Sequence, residues 1–337
     1  MRTTKTKKLR LLFLSILLSQ AFATSMSFAD VPNVMKCSHQ LPPEHHISKV
    51  IDQWAAEIEA LSGEEIDVQV FGGSSLETPE KNASAVATGG FQCGFTLNRQ
   101  WGNKLPLMDV TLAPFTFDHL DKLKKWNRSE TAAVLERKLL SKGLKNVIWL
   151  FSSWQTVLTS DGKALSKPSD FEGAKIQGIN PIADASLRAL GAIPIDVPNG
   201  KMFEALKEKE IDIGLASFSS TITNKYFSLR DQATVLPLYS QIFHGYVNAG
   251  WYADLSEKSK NAIVEAGNSA ALWAIDASEI SAAAAPQILK ENGMKVHAAT
   301  DSEIANLKIK MKPAFATSFE DATGVEGVSL LKLIKDL

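Results

Sequence analysis

Between Val34 and Leu97 the hydrophobic residues keep changing period, and this alternation restricts the chain to few architectures. Val34 to His39 suits a strand, and Leu41-Pro42-Pro43 breaks it. Ile47, Val50, Ile51, Trp54, Ile58 and Leu61 then recur at helical spacing, which predicts a helix over His45 to Leu61 that Gly63 stops. Ile66, Val68 and Val70 alternate as a strand with one buried face. Thr78 as N-cap and Pro79 at the first helical position open a second helix. Gly89-Gly90 closes it, and Phe91 to Leu97 is a third strand. The β-α-β-α-β order predicts an open α/β sheet, whose ligands sit outside the carboxyl ends of the strands. Those ends are His39-Gln40, Gly73-Ser74 and Leu97-Asn98.

A second alternation follows. A helix is expected from His119 to Ser141, with strands at Asn146 to Phe151 and Val157 to Thr159. Ser166 to Gly178 reads as a turn with Pro168 at its start and Asp170 as candidate N-cap. Gly173 is the left-handed stop, and Ala174 to Ile179 is a strand carrying Gln177. Helix, strand, helix and strand then run through Ala183–Leu190, Ile193–Val197, Lys201–Lys209 and Ile211–Ala216. Val235 to Tyr239 and Phe243 to Trp251 are two more strands. Leu255 to Gly293 is a long helical pattern with Ser256 as N-cap, and Pro286 is expected to kink or interrupt it. The tail carries a short strand, Met294 to His297, and a helix, Ser302 to Thr317.

At 337 residues and 45% hydrophobic, the chain can bury two cores. Its formal charge of -1 argues against nucleic acid, which is held largely by neutralising phosphates. Residues 1 to 29 have the form of an export signal. Arg2, Lys5, Lys7, Lys8 and Arg10 precede the apolar run Leu11 to Leu18, and Ser27-Phe28-Ala29 resembles a cleavage site. A mature chain is expected to start at Asp30, in the periplasm. Cys37 and Cys93 lie in separate strand-like runs, as two buried thiols or as a bridge that an oxidising compartment permits. Cys37, His39, His45 and His46 match no zinc spacing, so no metal and no cofactor are expected.

Several motifs in order carry a resemblance over about residues 33 to 320. They are Lys36-Cys37-Ser38-His39 with Glu44-His45-His46, Leu112-Ala113-Pro114-Phe115 with Lys142-Gly143-Leu144, and Lys167-Pro168-Ser169-Asp170-Phe171-Glu172-Gly173-Ala174-Lys175-Ile176. Leu190-Gly191-Ala192 with Pro194, Phe203-Glu204-Ala205-Leu206, Ile211-Asp212 and Lys225-Tyr226 follow. The series resembles the DctP-type solute receptors of TRAP transporters. The resemblance implies a two-lobed periplasmic-binding-protein-like α/β fold with a long helix spanning both lobes. Lobe one would hold residues 31–153 and 242–282, and lobe two residues 154–241 and 283–337. The partners implied are a small organic solute and TRAP membrane subunits. A monomer is expected.

In this family an arginine after the Lys-Ile of the third motif clamps the substrate carboxylate. Here that position is Gln177. A second, less general arginine corresponds to Gln155, and an asparagine to Ala216. Without the guanidinium fork the anion clamp is lost, so a neutral or cationic solute is expected. The alternatives are an organic acid held without the usual arginine, a TRAP-like sensor, or an exported enzyme. The chain shows no Gly-x-Ser-x-Gly, P-loop or His-Glu-x-x-His, so catalysis is not expected. The ligand-binding candidates are Gln177, Gln155, Trp154, His39, Asn98, Phe218 and Asn199. Trp154 and Phe218 would offer aromatic faces, with plain core packing as their alternative. Lys175 threatens the charge argument, because strand alternation puts it on the face of Gln177.

Overall fold

The computed structural model describes residues 33–337. The export signal expected over 1–29 lies outside the described residues. The first alternation folds as its periods predict: β1 (Asn33–Ser38), α1 (His46–Ser62), β2 (Ile66–Phe71), α2 (Pro79–Ala87) and β3 (Cys93–Leu97). β1 lies parallel to both β2 and β3. Ile47, Val50, Ile51, Trp54 and Ile58 form the buried stripe of α1, and Gly63 ends the helix at φ 59°, where a side chain is disfavoured.

The pattern over 119–141 forms two helices rather than one, α3 (Leu120–Trp126) and α4 (Glu130–Leu140). Ser129 divides them by leaving helical geometry, and its Oγ accepts from the Ala132 N–H at 3.1 Å. β4 (Leu144–Ser153) and β5 (Thr156–Ser160) follow. Asp170 is not an N-cap. It closes a 3₁₀ turn at Pro168–Asp170, and its Oδ2 accepts from the Ser166 and Lys167 N–H groups. β6 (Lys175–Gln177), α5 (Pro181–Arg188), β7 (Ile193–Ile195), α6 (Met202–Lys207) and β8 (Gly214–Ala216) come next. The chain continues through α7 (Phe218–Thr223), β9 (Gln232–Leu236), β10 (Gln241–Asn248) and α8 (Ala249–Asp254).

The strands form a five-stranded sheet, β2-β1-β3-β10-β4, and a four-stranded sheet, β11-β9-β5-β8, where β11 is Lys295–Ala298. β6 and β7 pair in parallel, and a bridge from Ile176 to Ile213 ties them to the segment leading into β8. The chain passes between the two larger sheets from β4 to β5 and returns from β9 to β10.

α9 (Glu257–Glu291) is the long helix, capped by Ser256. Ile263, Ala266, Ala270 and Ala274 join the core beneath α1 and the five-stranded sheet. Ala285 and Leu289 pack with Val157 and Val235 of the four-stranded sheet and Phe218 of α7. Pro286 does not interrupt α9. Proline forfeits one backbone bond, and burial of Ala285 and Leu289 on either side holds the last turns in place. The final helix, α10 (Asp301–Leu333), runs well past the expected Thr317 and is kinked at Gly324, φ 63°.

Candidate functional site

The carboxyl ends of the parallel strands from both lobes border one cleft, with a cavity of about 660 Å³. One wall comes from the chain just past β1, β2 and β3: Gln40, Ser74 and Arg99. The other comes from the ends of β6 and β8 (Gln177, Ala216), from Val197 just past β7, and from Tyr226. The size suits a small organic molecule.

Gln177 ends β6, where its backbone N–H donates to the Ile213 carbonyl at 3.2 Å. Its side chain is 2% exposed, and Oε1 is buried without a hydrogen-bond partner among the described residues. A buried acceptor left in that state costs about 1–3 kcal/mol, so the cleft asks for a partner there. Two neighbouring cleft amides, Gln40 and Gln100, are engaged with each other. Gln100 donates to Gln40 Oε1 at 2.8 Å and accepts from the Leu97 N–H at 3.1 Å.

The half-buried Arg99 follows β3 in the turn Asn98–Gln100. Burial of its guanidinium lowers its pKa to about 10, against an opposing pull from the Tyr226 phenol. Burial raises Tyr226 to about 12. His45 also lines the cleft, but its Nδ1 accepts from the Ile47 N–H at 3.2 Å, and burial drives its pKa down to about 3. It is a neutral group at pH 7. Glu80 and Asp196 are exposed cleft residues.

Of the seven candidates read from the sequence, the structure brings Gln177 to the cleft. Trp154 turns toward α9, where its Nε1 donates to Glu279 Oε1 at 2.6 Å. Gln155 sits in the β4–β5 connection, its backbone paired with the Ser153 hydroxyl. His39 is buried under the turn after β1, and its Nδ1 accepts from the Leu41 N–H at 3.2 Å. Asn98 is buried and donates to Thr111 Oγ1 at 3.2 Å. Phe218 packs in the core with Val157 and Ala285. Asn199 starts a 3₁₀ turn between the cleft residues Pro198 and Gly200, and its side chain lies outside the described ones. Lys175 is exposed and does not line the cleft, whereas Gln177 is buried, so the expected sharing of one face does not bring a lysine into the site. Ala216 does line it.

Sequence reasoning passes over Arg99 because Asn98, directly after the strand pattern, stands at the sheet edge. The available signal is a charged residue just beyond the carboxyl end of a parallel strand.

Between the 3₁₀ segment Pro106–Leu112 and the start of α5, Asp109 accepts from Asn180 Nδ2 at 3.1 Å. Asp109 is 1% exposed, and burial raises its pKa to about 8. The native state therefore keeps a proton that the unfolded chain releases near pH 4. Stability contributed by this group is full below that value and is lost as pH rises toward 8. Asp109→Asn should remove this dependence. Urea unfolding is expected to show the variant gaining a few kcal/mol on the wild type between pH 4.5 and pH 8.5, and parallel curves would contradict the assignment.

Comparison with known proteins places this geometry. The family described as bacterial extracellular solute-binding protein, family 7 (DctP) matches residues 37–322. A solute-binding protein of Albidiferax ferrireducens is 25% identical over 63% of this chain and 62% of its own length. The C4-dicarboxylate-binding periplasmic protein DctP of Rhodobacter capsulatus is 24% identical over 67% of this chain and 66% of its own. The chain thus spans just under two thirds of these curated relatives. In fold, the crystal structure of DctP6, a Bordetella pertussis extracytoplasmic solute receptor binding pyroglutamic acid, superposes with a TM-score of 0.81 at 19% identity, covering 90% of this chain and 100% of that one. With the match running from β1 into α10, the chain belongs to the DctP family of bacterial extracellular solute-binding proteins.

Proposed function

We propose that the protein is the extracytoplasmic receptor of a TRAP-type transporter, a binding protein rather than an enzyme, which captures a small organic solute by lobe closure and hands it to membrane subunits. The observation that carries this reading is Gln177, which brings a buried oxygen without a partner to a cleft between two lobes. The strand crossings from β4 to β5 and from β9 to β10 support lobe boundaries near 153/154 and 241/242. They leave the two lobes free to hinge on extended segments. α10 packs against α5 and also against the 3₁₀ segment Pro106–Leu112, so the tail touches both proposed lobes.

The absence of arginine at 177 argues for a neutral or cationic solute. Arg99, placed on the opposite wall, supplies a cation by another route and favours an organic acid bound without the usual arginine. A thermal-shift screen over polyols, amines, betaines and acids tests the receptor reading. A ligand at 100 times its Kd should stabilise the fold by about 2.7 kcal/mol, and Gln177→Ala should shrink that shift. A screen in which nothing raises the melting temperature, or scattering curves that do not change with a confirmed ligand, would tell against capture by closure.

A further inference from the structure

Arg99 stands at the cleft wall formed by the five-stranded sheet, immediately past β3. Among the described residues lining the cleft it is the one permanent cation, since His45 is held neutral. A desolvated guanidinium is stabilised by a facing anion, and its planar fork of five donors can hold a carboxylate while keeping a contact to its own chain.

Across the cleft, Gln177 offers a neutral amide with a buried atom that no protein group satisfies among the described residues. Turning the amide over would exchange a missing donor for a missing acceptor. A hydroxyl meets either need, because it both donates and accepts. The remaining charged cleft residues, Glu80 and Asp196, are both acidic and exposed. A second carboxylate on the ligand would meet these like charges, and no second lining cation is present among the described residues to offset its desolvation.

Resting on the receptor reading above, we infer that Arg99, rather than the residue at 177, sets ligand charge, and that the ligand is a small hydroxylated monocarboxylate with its carboxylate on Arg99 and a hydroxyl on Gln177. Such a molecule bridges the two walls, so each end contributes to closure.

Calorimetric titration of the wild-type protein with gluconate and 3-hydroxybutyrate, their neutral counterparts sorbitol and 1,3-butanediol, and malate provides the test. At least one hydroxy acid should bind roughly 100-fold more tightly than its neutral counterpart, and more tightly than malate. Arg99→Met should lose roughly 100-fold for that acid with little change for the neutral compound. Gln177→Ala should lose roughly tenfold. Tighter binding of a polyol or of malate, or unchanged acid affinity in Arg99→Met, would overturn the assignment. If Arg99→Met does not fold, the wild-type comparison of acid against alcohol decides. Failure of both hydroxy acids to bind overturns the ligand class alone. The receptor reading falls only if the broader screen finds no ligand at all.

Discussion

Removing the Cys37–Cys93 disulfide is expected to destabilise the protein by about 4 kcal/mol, from the entropy of closing a loop across the 56 residues that separate the two cysteines. The two residues face each other in register on the neighbouring parallel strands β1 and β3, with Cα atoms 4.3 Å apart, and both are fully buried. The bond therefore joins the strands whose carboxyl ends carry Gln40 and Arg99 into the cleft. A double Cys37→Ala, Cys93→Ala variant should show the loss in urea unfolding and should bind ligand more weakly at equal folded fraction. Because the sulfurs are inaccessible, a mild reductant should leave the folded wild type unaffected until the β1–β3 region opens. A double variant within 1 kcal/mol of wild type would mean that the ladder between these strands holds without the bridge.

The same pair marks the limit of what local sequence signals can specify. Cys37 and Cys93 fall in the first and third strand patterns, which leave a bridge and two thiols both open. The choice depends on β1 lying between β2 and β3 in one register, and register is a tertiary property. Periodic signals transfer well, because the stripe Ile47, Val50, Ile51, Trp54, Ile58 and the alternation Ile66, Val68, Val70 are local consequences of helix and strand geometry. The break at Ser129 is hidden, since Leu123, Trp126, Leu135 and Leu139 keep a plausible apolar face on both sides of it. The site is legible only at Gln177, whose position follows from a motif that ends in a strand. Trp154 and Phe218 lie beside strand ends too, but side-chain direction there depends on the next element. Trp154 finds Glu279 on α9, and Phe218 turns into the core under the same helix.

Acidification is expected to unfold the protein steeply, because buried histidines in and beside the five-stranded sheet are built as acceptors. His244, at 0% exposure, accepts from Trp101 Nε1 at 2.6 Å through Nε2, while its Nδ1 lies 2.9 Å from Asn146 Oδ1. This pairing assigns the proton to Nδ1. A second proton would set an N–H against the indole N–H and place a charge in the core. The Nδ1 atoms of His39 and His45 accept backbone N–H bonds in the same way, and the ring of His45 stacks on His46 with centroids 4.5 Å apart. Burial lowers His39 to about 4, and His45 and His244 to about 3. The native pKa values thus lie below the unfolded value near 6.5, so as pH falls the unfolded chain takes up protons first. This stabilisation is complete above about pH 6.5 and is lost progressively down to pH 3–4, at about 1.4 kcal/mol per pH unit for each histidine. Asp109 acts in the opposite sense between pH 8 and pH 4, since its native pKa is raised. Comparing His244→Gln with wild type isolates one histidine from the rest. Unfolding free energies measured in urea at pH 7, 6, 5 and 4 should fall less steeply for the variant, by close to one proton's slope, whatever its offset at pH 7. Equal slopes would mean that His244 titrates in the folded protein much as it does in the unfolded chain.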